Sequence, residues 1–389
     1  MLFGEWIRYS AFWVLDFLRG SKVRRHLLDI KHIMEFAGDP AVLTIRQKYL
    51  ENILQYAARI VPFYQKYQGY SSLKSFPVID KSIIRENFND FQSPEYRNAV
   101  VHNMHTSGST GTPFLVRQDA NKRNRVYAEM IYFWGKGGYK VGIRYLFLRI
   151  WTSINRKNRL SAWARNIVMW NILRLDDENM ENISRLLKSD RRIKIILGYA
   201  GTLENLANYL LSCGETPANY HIKHVLSGAE VLTESARDKI QKVFGCPVIS
   251  VYSNQENGLI AQECIEHLEF HLNNASYHVE LLKFDCDEPV EDGEAGRIVL
   301  TDLFNHAMPL IRYDTGDIGI WKKTADCGWN TQALSSIEGG MVDYICDTSG
   351  KRISPHFISV VMWPYNRLKQ FQFIQKGAQK YTLILNGSR

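Results

Sequence analysis

His105-Thr106-Ser107-Gly108-Ser109-Thr110-Gly111-Thr112-Pro113 sets five hydroxyl side chains and two glycines in the seven residues before the proline. Glycine admits backbone conformations and close approaches that a Cβ forbids. Successive backbone N–H groups in such a loop form an anion-binding concavity, and hydroxyls add donors. Phosphate handling is the chemistry this composition suits. A plain Ser/Gly surface turn has the same composition, but the apolar run Phe114-Leu115-Val116 follows at once, so the loop is short and framed. No Gly-Lys-Ser/Thr follows, which excludes a Walker loop, and there is no dinucleotide GxGxxG.

The chain of 389 residues is long enough for a large core and more than one domain. Its net charge of +8 comes from scattered Lys and Arg. Short clusters such as Lys22-Val23-Arg24-Arg25 read as solvated faces or as attraction for an anionic substrate, and no nucleic-acid-binding signature is visible. Six cysteines without a CxxC pair point to a reduced, cytoplasmic setting rather than a disulfide framework. No apolar run approaches the length of a membrane span. Met1 to Gly20 is aromatic and amphipathic. It reads as a helix packed on the protein, with peripheral membrane contact as the alternative.

Residues 1–70 read as helical, the run from Leu43 to Ile60 ending at Pro62. Asp80 or Ser82 is a helix cap. A helix over 119–137 follows the loop. Strands are expected at 143–150, 193–197, 224–226 and 247–251, with helices at 202–212 and 233–244. This alternation predicts an α/β fold with a mainly parallel sheet. Strands at 278–282 and 296–303 suggest a β-rich subdomain.

Ligands of open α/β sheets bind beyond the carboxyl ends of strands, which singles out two stretches. One is Ser227-Gly228-Ala229-Glu230, whose small residues would let a flat base lie on the backbone. The other is Tyr252-Ser253-Asn254-Gln255-Glu256-Asn257-Gly258, offering a ring for a purine and a carboxylate for Mg²⁺. In a third stretch, Ile311-Arg312-Tyr313-Asp314-Thr315-Gly316-Asp317, a carboxylate could accept both ribose hydroxyls; Asp-Thr-Gly-Asp is also good β-turn chemistry.

In order and spacing these stretches, with HTSGSTGTP, resemble the core motifs of the adenylate-forming (acyl-CoA synthetase-like) superfamily. The phenylacetate-CoA ligase and CapK branch is the nearest in kind. Val61-Pro62-Phe63-Tyr64, Phe76-Pro77-Val78-Ile79-Asp80-Lys81 and Ala307-Met308-Pro309-Leu310-Ile311-Arg312-Tyr313 agree with it, so the likeness covers roughly residues 44–375. The resemblance implies an ATP- and acid-binding adenylation domain over 1–337. A hinge and the start of a truncated, incomplete α+β C-terminal domain would occupy 338–389.

It implies ATP-dependent activation of a carboxylic acid as acyl-AMP, then transfer to coenzyme A or another thiol, in polysaccharide or secondary metabolite assembly. Thr106, Ser107, Gly108, Ser109, Thr110, Gly111 and Thr112 would hold the phosphates, with Thr106 and Glu256 as catalytic residues and Glu256 on Mg²⁺. Gly228, Ala229, Glu230, Tyr252 and Ser253 would flank adenine, and Asp317 would hold the ribose.

Three departures stand out. Phe114 follows Pro113 where many relatives outside the branch carry Lys. Ser253 and Gln255 replace a Gly and a Thr of the tyrosine motif. At the hinge, Gly340 and Val342 stand where the family pattern has Arg and Asp, and only the 47 residues from Asp343 to Arg389 follow. These motivate the alternative of a degenerate nucleotide-binding protein without turnover. Some relatives in the branch hold zinc through Cys and His; Cys264, His267, His271 and Cys327 are the candidates here. Ala325 stands where a second cysteine is expected, which favours their being packing residues.

Overall fold

The computed structural model describes residues 2–106, 114–152, 155–322, 327–329, 331–339, 345–346, 348, 352–353, 361–362 and 368–387. The chain opens with three helices, α1 (Phe3–Leu18), α2 (Lys22–Glu35) and α3 (Pro40–Ile60). Asp39 caps α3 by accepting the Ala41 N–H, with Pro40 at the first helical position, where its missing N–H costs nothing. Buried Leu50, Ile53, Leu54, Ala57 and Ala58 form its inner stripe. The short α4 (Lys81–Glu86) is capped by Asp80, which takes the N–H groups of Ser82 and Ile83 at 2.8 Å. The strands that flank the phosphate-loop candidate, β1 (His102–Thr106) and β2 (Phe114–Gln118), pair antiparallel. Ser107 to Pro113 themselves lie outside the described residues.

After α5 (Ala120–Lys136) the chain alternates as its pattern predicts. It runs through β3 (Tyr145–Arg149), α6 (Arg159–Ala164), β4 (Ile167–Asn171), α7 (Asp177–Ser189) and β5 (Ile195–Tyr199). Then come α8 (Ala200–Ser212), β6 (His224–Gly228), α9 (Glu234–Phe244) and β7 (Val248–Asn254). Thr233 caps α9, and Gly245 ends it in the left-handed conformation at φ 60°. The other strands of the same sheet are β8 (Gly258–Glu263), β9 (Phe270–Leu272), β10 (Tyr277–Leu282), β11 (Ala295–Asp302), β12 (Tyr313–Lys322) and β13 (Ala333–Glu338). Near the end of the chain Leu368–Gly377 and Lys380–Gly387 form an antiparallel pair.

The α/β class is as expected. One 11-stranded sheet runs β10-β11-β12-β13-β9-β8-β7-β6-β5-β3-β4. Strands β4, β3, β5, β6 and β7 are parallel, and the pairings from β7–β8 outward are antiparallel. The β-rich part therefore extends the parallel sheet. Helices α7, α8 and α9 cover the parallel half through Ile183, Leu203 and Ile240. Helix α3 covers the antiparallel half, its Ile53 and Leu54 sharing a core with Ile260, Leu300 and Tyr313. Each such fully buried side chain contributes roughly 2 kcal/mol. No helix among the described residues is long and apolar enough to cross a membrane.

Candidate active site

Three parts of the fold meet at the carboxyl ends of β6 and β7. These strands are parallel neighbours with Gly228 opposite Val251, so the turn after β6 and Tyr252 on β7 end side by side. Ala229 sits there at φ 66°, a conformation costly for a residue with a Cβ. The Glu230 carboxylate accepts the Gly201 N–H at 2.8 Å, in the first turn of α8. Tyr252 and Ser253 lie within the strand, which runs to Asn254 and past the expected end at residue 251.

The Asp-Thr-Gly-Asp stretch is strand, not turn. It belongs to β12, and Gly316 accommodates it at φ 82°. Period-2 alternation puts Tyr313, Thr315 and Asp317 on one face. From that face Asp317 Oδ2 accepts the Tyr252 hydroxyl at 2.6 Å, and Thr315 Oγ1 lies 3.3 Å from the same hydroxyl. Glu256 Oε1 accepts the Tyr313 hydroxyl at 3.0 Å. Two tyrosine–carboxylate pairs thus stand next to each other. Burial first, and the neighbouring carboxylate second, push both phenols well above their usual range, so both remain donors.

Glu256 is 2% exposed, and its second partner is Lys81, whose Nζ lies 3.3 Å from Oε1. Lys81 reaches it because Ile79 bridges to β12: the Ile79 N–H donates to the Arg312 carbonyl at 3.0 Å, and the Asp314 N–H to the Ile79 carbonyl at 2.8 Å. The hairpin is fastened to the same loop. At the end of β2, the Gln118 side-chain amide donates to the Glu256 carbonyl at 2.7 Å. Gln118 pairs with His102 at the base of the hairpin, so the base is fastened to the Glu256 loop, and Thr106 pairs with Phe114 at the other end, where the strands lead into the Ser/Thr/Gly loop.

Lys81, Thr315 and Gln118 were not singled out from sequence as site residues. Lys81 ends the quoted Phe76–Lys81 stretch; a lysine directly after a helix-capping aspartate in a matched motif was the available signal. The site presents Glu256 as a carboxylate donor. A Mg²⁺ ion, which takes most of its ligands from water and phosphates, needs one or two of these.

The comparisons with known proteins agree on one kind of relative. Over 340 residues, 82% of this chain and 74% of the relative, the sequence is 23% identical to the phenylacetate-coenzyme A ligase of Thermus thermophilus. It is 25% identical over 252 residues to protein CapK of Staphylococcus aureus, covering 64% of this chain and 54% of CapK. A crystal structure of 2-hydroxyisobutyryl-CoA ligase, in complex with 2-HIB-AMP and CoA, matches with a TM-score of 0.65 at 18% identity. That match covers 89% of this chain and 78% of the other. No family profile matches.

In sequence the chain is similar to the phenylacetate-CoA ligase and CapK branch of the adenylate-forming superfamily, and it shares the fold of an acyl-CoA ligase. Three of the four Cys/His candidates converge rather than lying scattered. The ligating atoms of Cys264, His271 and Cys327 lie within 4.8 Å of one another, the one such group of His, Cys, Asp or Glu among the described residues. Cys327 Sγ is 3.2 Å from His271 Nε2, whose ring stacks on Trp329. Burial lowers the His271 pKa to about 4, which keeps the imidazole neutral and able to ligate. His267 is not in the group; its backbone N–H lies 3.4 Å from Cys264 Sγ.

Proposed function

We propose that this protein is an ATP-dependent acid–thiol ligase that activates a carboxylic acid as its acyl-adenylate and passes the acyl group to coenzyme A or another thiol. The observation that carries this reading is the juxtaposition of Tyr252–Asp317 with Tyr313–Glu256–Lys81 beside the hairpin that bears the Ser/Thr/Gly loop. In the first half-reaction an acid oxygen attacks the α-phosphorus of ATP, and the bond to pyrophosphate breaks. In the second, the thiol sulfur attacks the acyl carbon and AMP leaves.

No protein nucleophile is needed; the chain's part is positioning and charge stabilisation. Asp317, oriented by the Tyr252 hydroxyl, is assigned to the ribose. Ser107 to Thr112 are assigned to the pyrophosphate. Gly228 and Ala229 leave room for the flat base beside Tyr252. Lys81 supplies a cation beside Glu256, in a chain whose loop has Phe114 after its proline. Mg²⁺ held by Glu256 would offset the charge on the phosphates.

ATP–pyrophosphate exchange against a panel of aryl, fatty, amino and hydroxy acids tests this. Acid-dependent exchange is expected, with Glu256→Gln lowering its kcat at least about a hundredfold. Asp317→Asn should raise the KM for ATP about tenfold. ATP binding without exchange toward any acid would favour the degenerate nucleotide-binding reading instead. A second, independent reading rests on the Cys264–His271–Cys327 group: these residues fit three positions of a structural zinc site.

A further inference from the structure

Helix α1 turns its charges toward the protein and its apolar side chains toward solvent. Glu5 and Asp16 are each 7% exposed. Glu5 accepts the Leu2 N–H at 2.8 Å, and Asp16 accepts the N–H groups of Val23 and Arg24 at 3.0 Å, where α2 begins. Arg8 donates to the Trp163 carbonyl at 2.9 Å and lies over the Trp163 ring. On the other side Phe3, Trp6, Val14, Phe17 and Leu18 are 56–78% exposed, and no charged residue interrupts them. A helix that merely covers a core shows the reverse arrangement. Sixteen residues make this face about 24 Å long, too large to be a scatter of single apolar groups.

The orientation is built in. Phe12 packs on Tyr127 of α5, and Gly142, at φ 91°, lets the helix backbone approach so closely that a Cβ there would lie 2.4 Å from the Glu5 carbonyl. Next to α1, the short α6 exposes Leu160 and Trp163. Residues 2–25 and 155–165 together hold nine Lys and Arg and only two acids, the buried Glu5 and Asp16. Exposed Arg19, Lys22, Arg24 and Arg25 border one end of the apolar face, and Arg156, Lys157 and Arg159 precede or open α6.

We propose that α1 and α6 form a docking surface for an anionic lipid bilayer, with α1 lying in the interface. Apolar and aromatic side chains would enter the headgroup and acyl boundary while the cations meet lipid phosphates. A second copy of the chain would bring the same cations face to face, so charge complementarity selects the lipid surface.

The test is flotation of the full chain with phosphatidylcholine vesicles, with and without phosphatidylglycerol. The wild type should float with the anionic vesicles and detach as salt is raised. Phe3→Glu/Phe17→Glu should reduce binding at least about tenfold. Arg19→Gln/Lys22→Gln should reduce it on the order of tenfold on anionic vesicles only, with an unchanged thermal midpoint. Failure of the wild type to float, wild-type binding by either variant, or equal binding to both vesicle types would overturn the proposal. So would a wild-type dimer, seen by sedimentation velocity, that Phe3→Glu/Phe17→Glu dissolves. Should the glutamate variant fail to fold, the glutamine variant decides alone.

Discussion

Tyr252 and Tyr313 donate hydroxyl hydrogen bonds to carboxylates that the reaction is proposed to use, so their oxygens, not only their rings, matter. A hydrogen bond to a charged group contributes about 1.5–3 kcal/mol. Tyr252→Phe keeps the ring proposed to lie beside the base and releases Asp317 from the 2.6 Å bond. Expected is a roughly tenfold rise in the KM for ATP with the kcat of pyrophosphate exchange within about threefold of wild type; an unchanged KM would mean that Tyr252 does not orient Asp317. At Cys264, His271 and Cys327 the prediction concerns metal content. Purified protein should carry about one zinc per chain by atomic emission, and Cys264→Ser should lose it. Metal-free wild type would leave these residues to packing. Glu256, Tyr252 and Asp317 were legible because each sits within a local motif. Lys81 was not recognised as a partner of Glu256, since an ion pair between distant segments leaves no mark on local pattern. The convergence of Cys264, His271 and Cys327 was not legible, because sequence spacing does not reveal that β9 and the residues around Cys327 meet.

At the scale of elements, turn chemistry competed with sheet pairing at Asp314 to Asp317, and pairing won. Strand β12 joins β11 and β13, and one glycine at positive φ absorbs the local preference. Helix α9, with its cap and its glycine stop, was placed to within one residue, while α3 begins three residues before the run from Leu43, at the Asp39 cap. Strand β4 was not anticipated, because Ile167–Asn171 is too short to set its own period and is defined by pairing with β3. Nor could sequence show which side of α1 faces the protein. Its apolar stripe implied burial, yet the buried side is the one carrying Glu5 and Asp16, and Gly142 permits that close approach. Gly142→Ala should therefore disturb α1 specifically. The cost of the new Cβ and the positive φ is about 1–3 kcal/mol, a drop of a few degrees in thermal midpoint. Proteolysis should move to the first twenty residues or so. An unaltered cleavage pattern would show that Gly142 does not seat the helix.

Across the whole molecule, the helices and the sheet are joined through buried charge on one face of α5. Lys122 Nζ lies 2.8 Å from Asp302 on β11 and 3.0 Å from the Tyr277 hydroxyl on β10. Arg125 bonds Ser276 and pairs with Asp29 of α2. His26 of α2 packs against this group, 3.0 Å from Asn121 and 3.5 Å from Arg125. Burial, then the charge of Arg125, lowers the His26 pKa from 6.5 to about 4. The folded state thus holds His26 neutral where the unfolded chain would protonate it. Its contribution is fully present above pH 6.5 and is lost as pH falls toward 4. Between pH 7 and pH 5 the loss amounts to roughly 2 kcal/mol. Glu129, whose carboxyl burial raises, acts in the opposite sense over part of that range, so the informative quantity is a difference between variant and wild type. His26→Gln retains a side chain able to bond Asn121 but cannot titrate. Urea unfolding at both pH values should show the variant losing about 2 kcal/mol less than wild type on acidification. Equal losses would assign the acid limb of stability to groups other than His26.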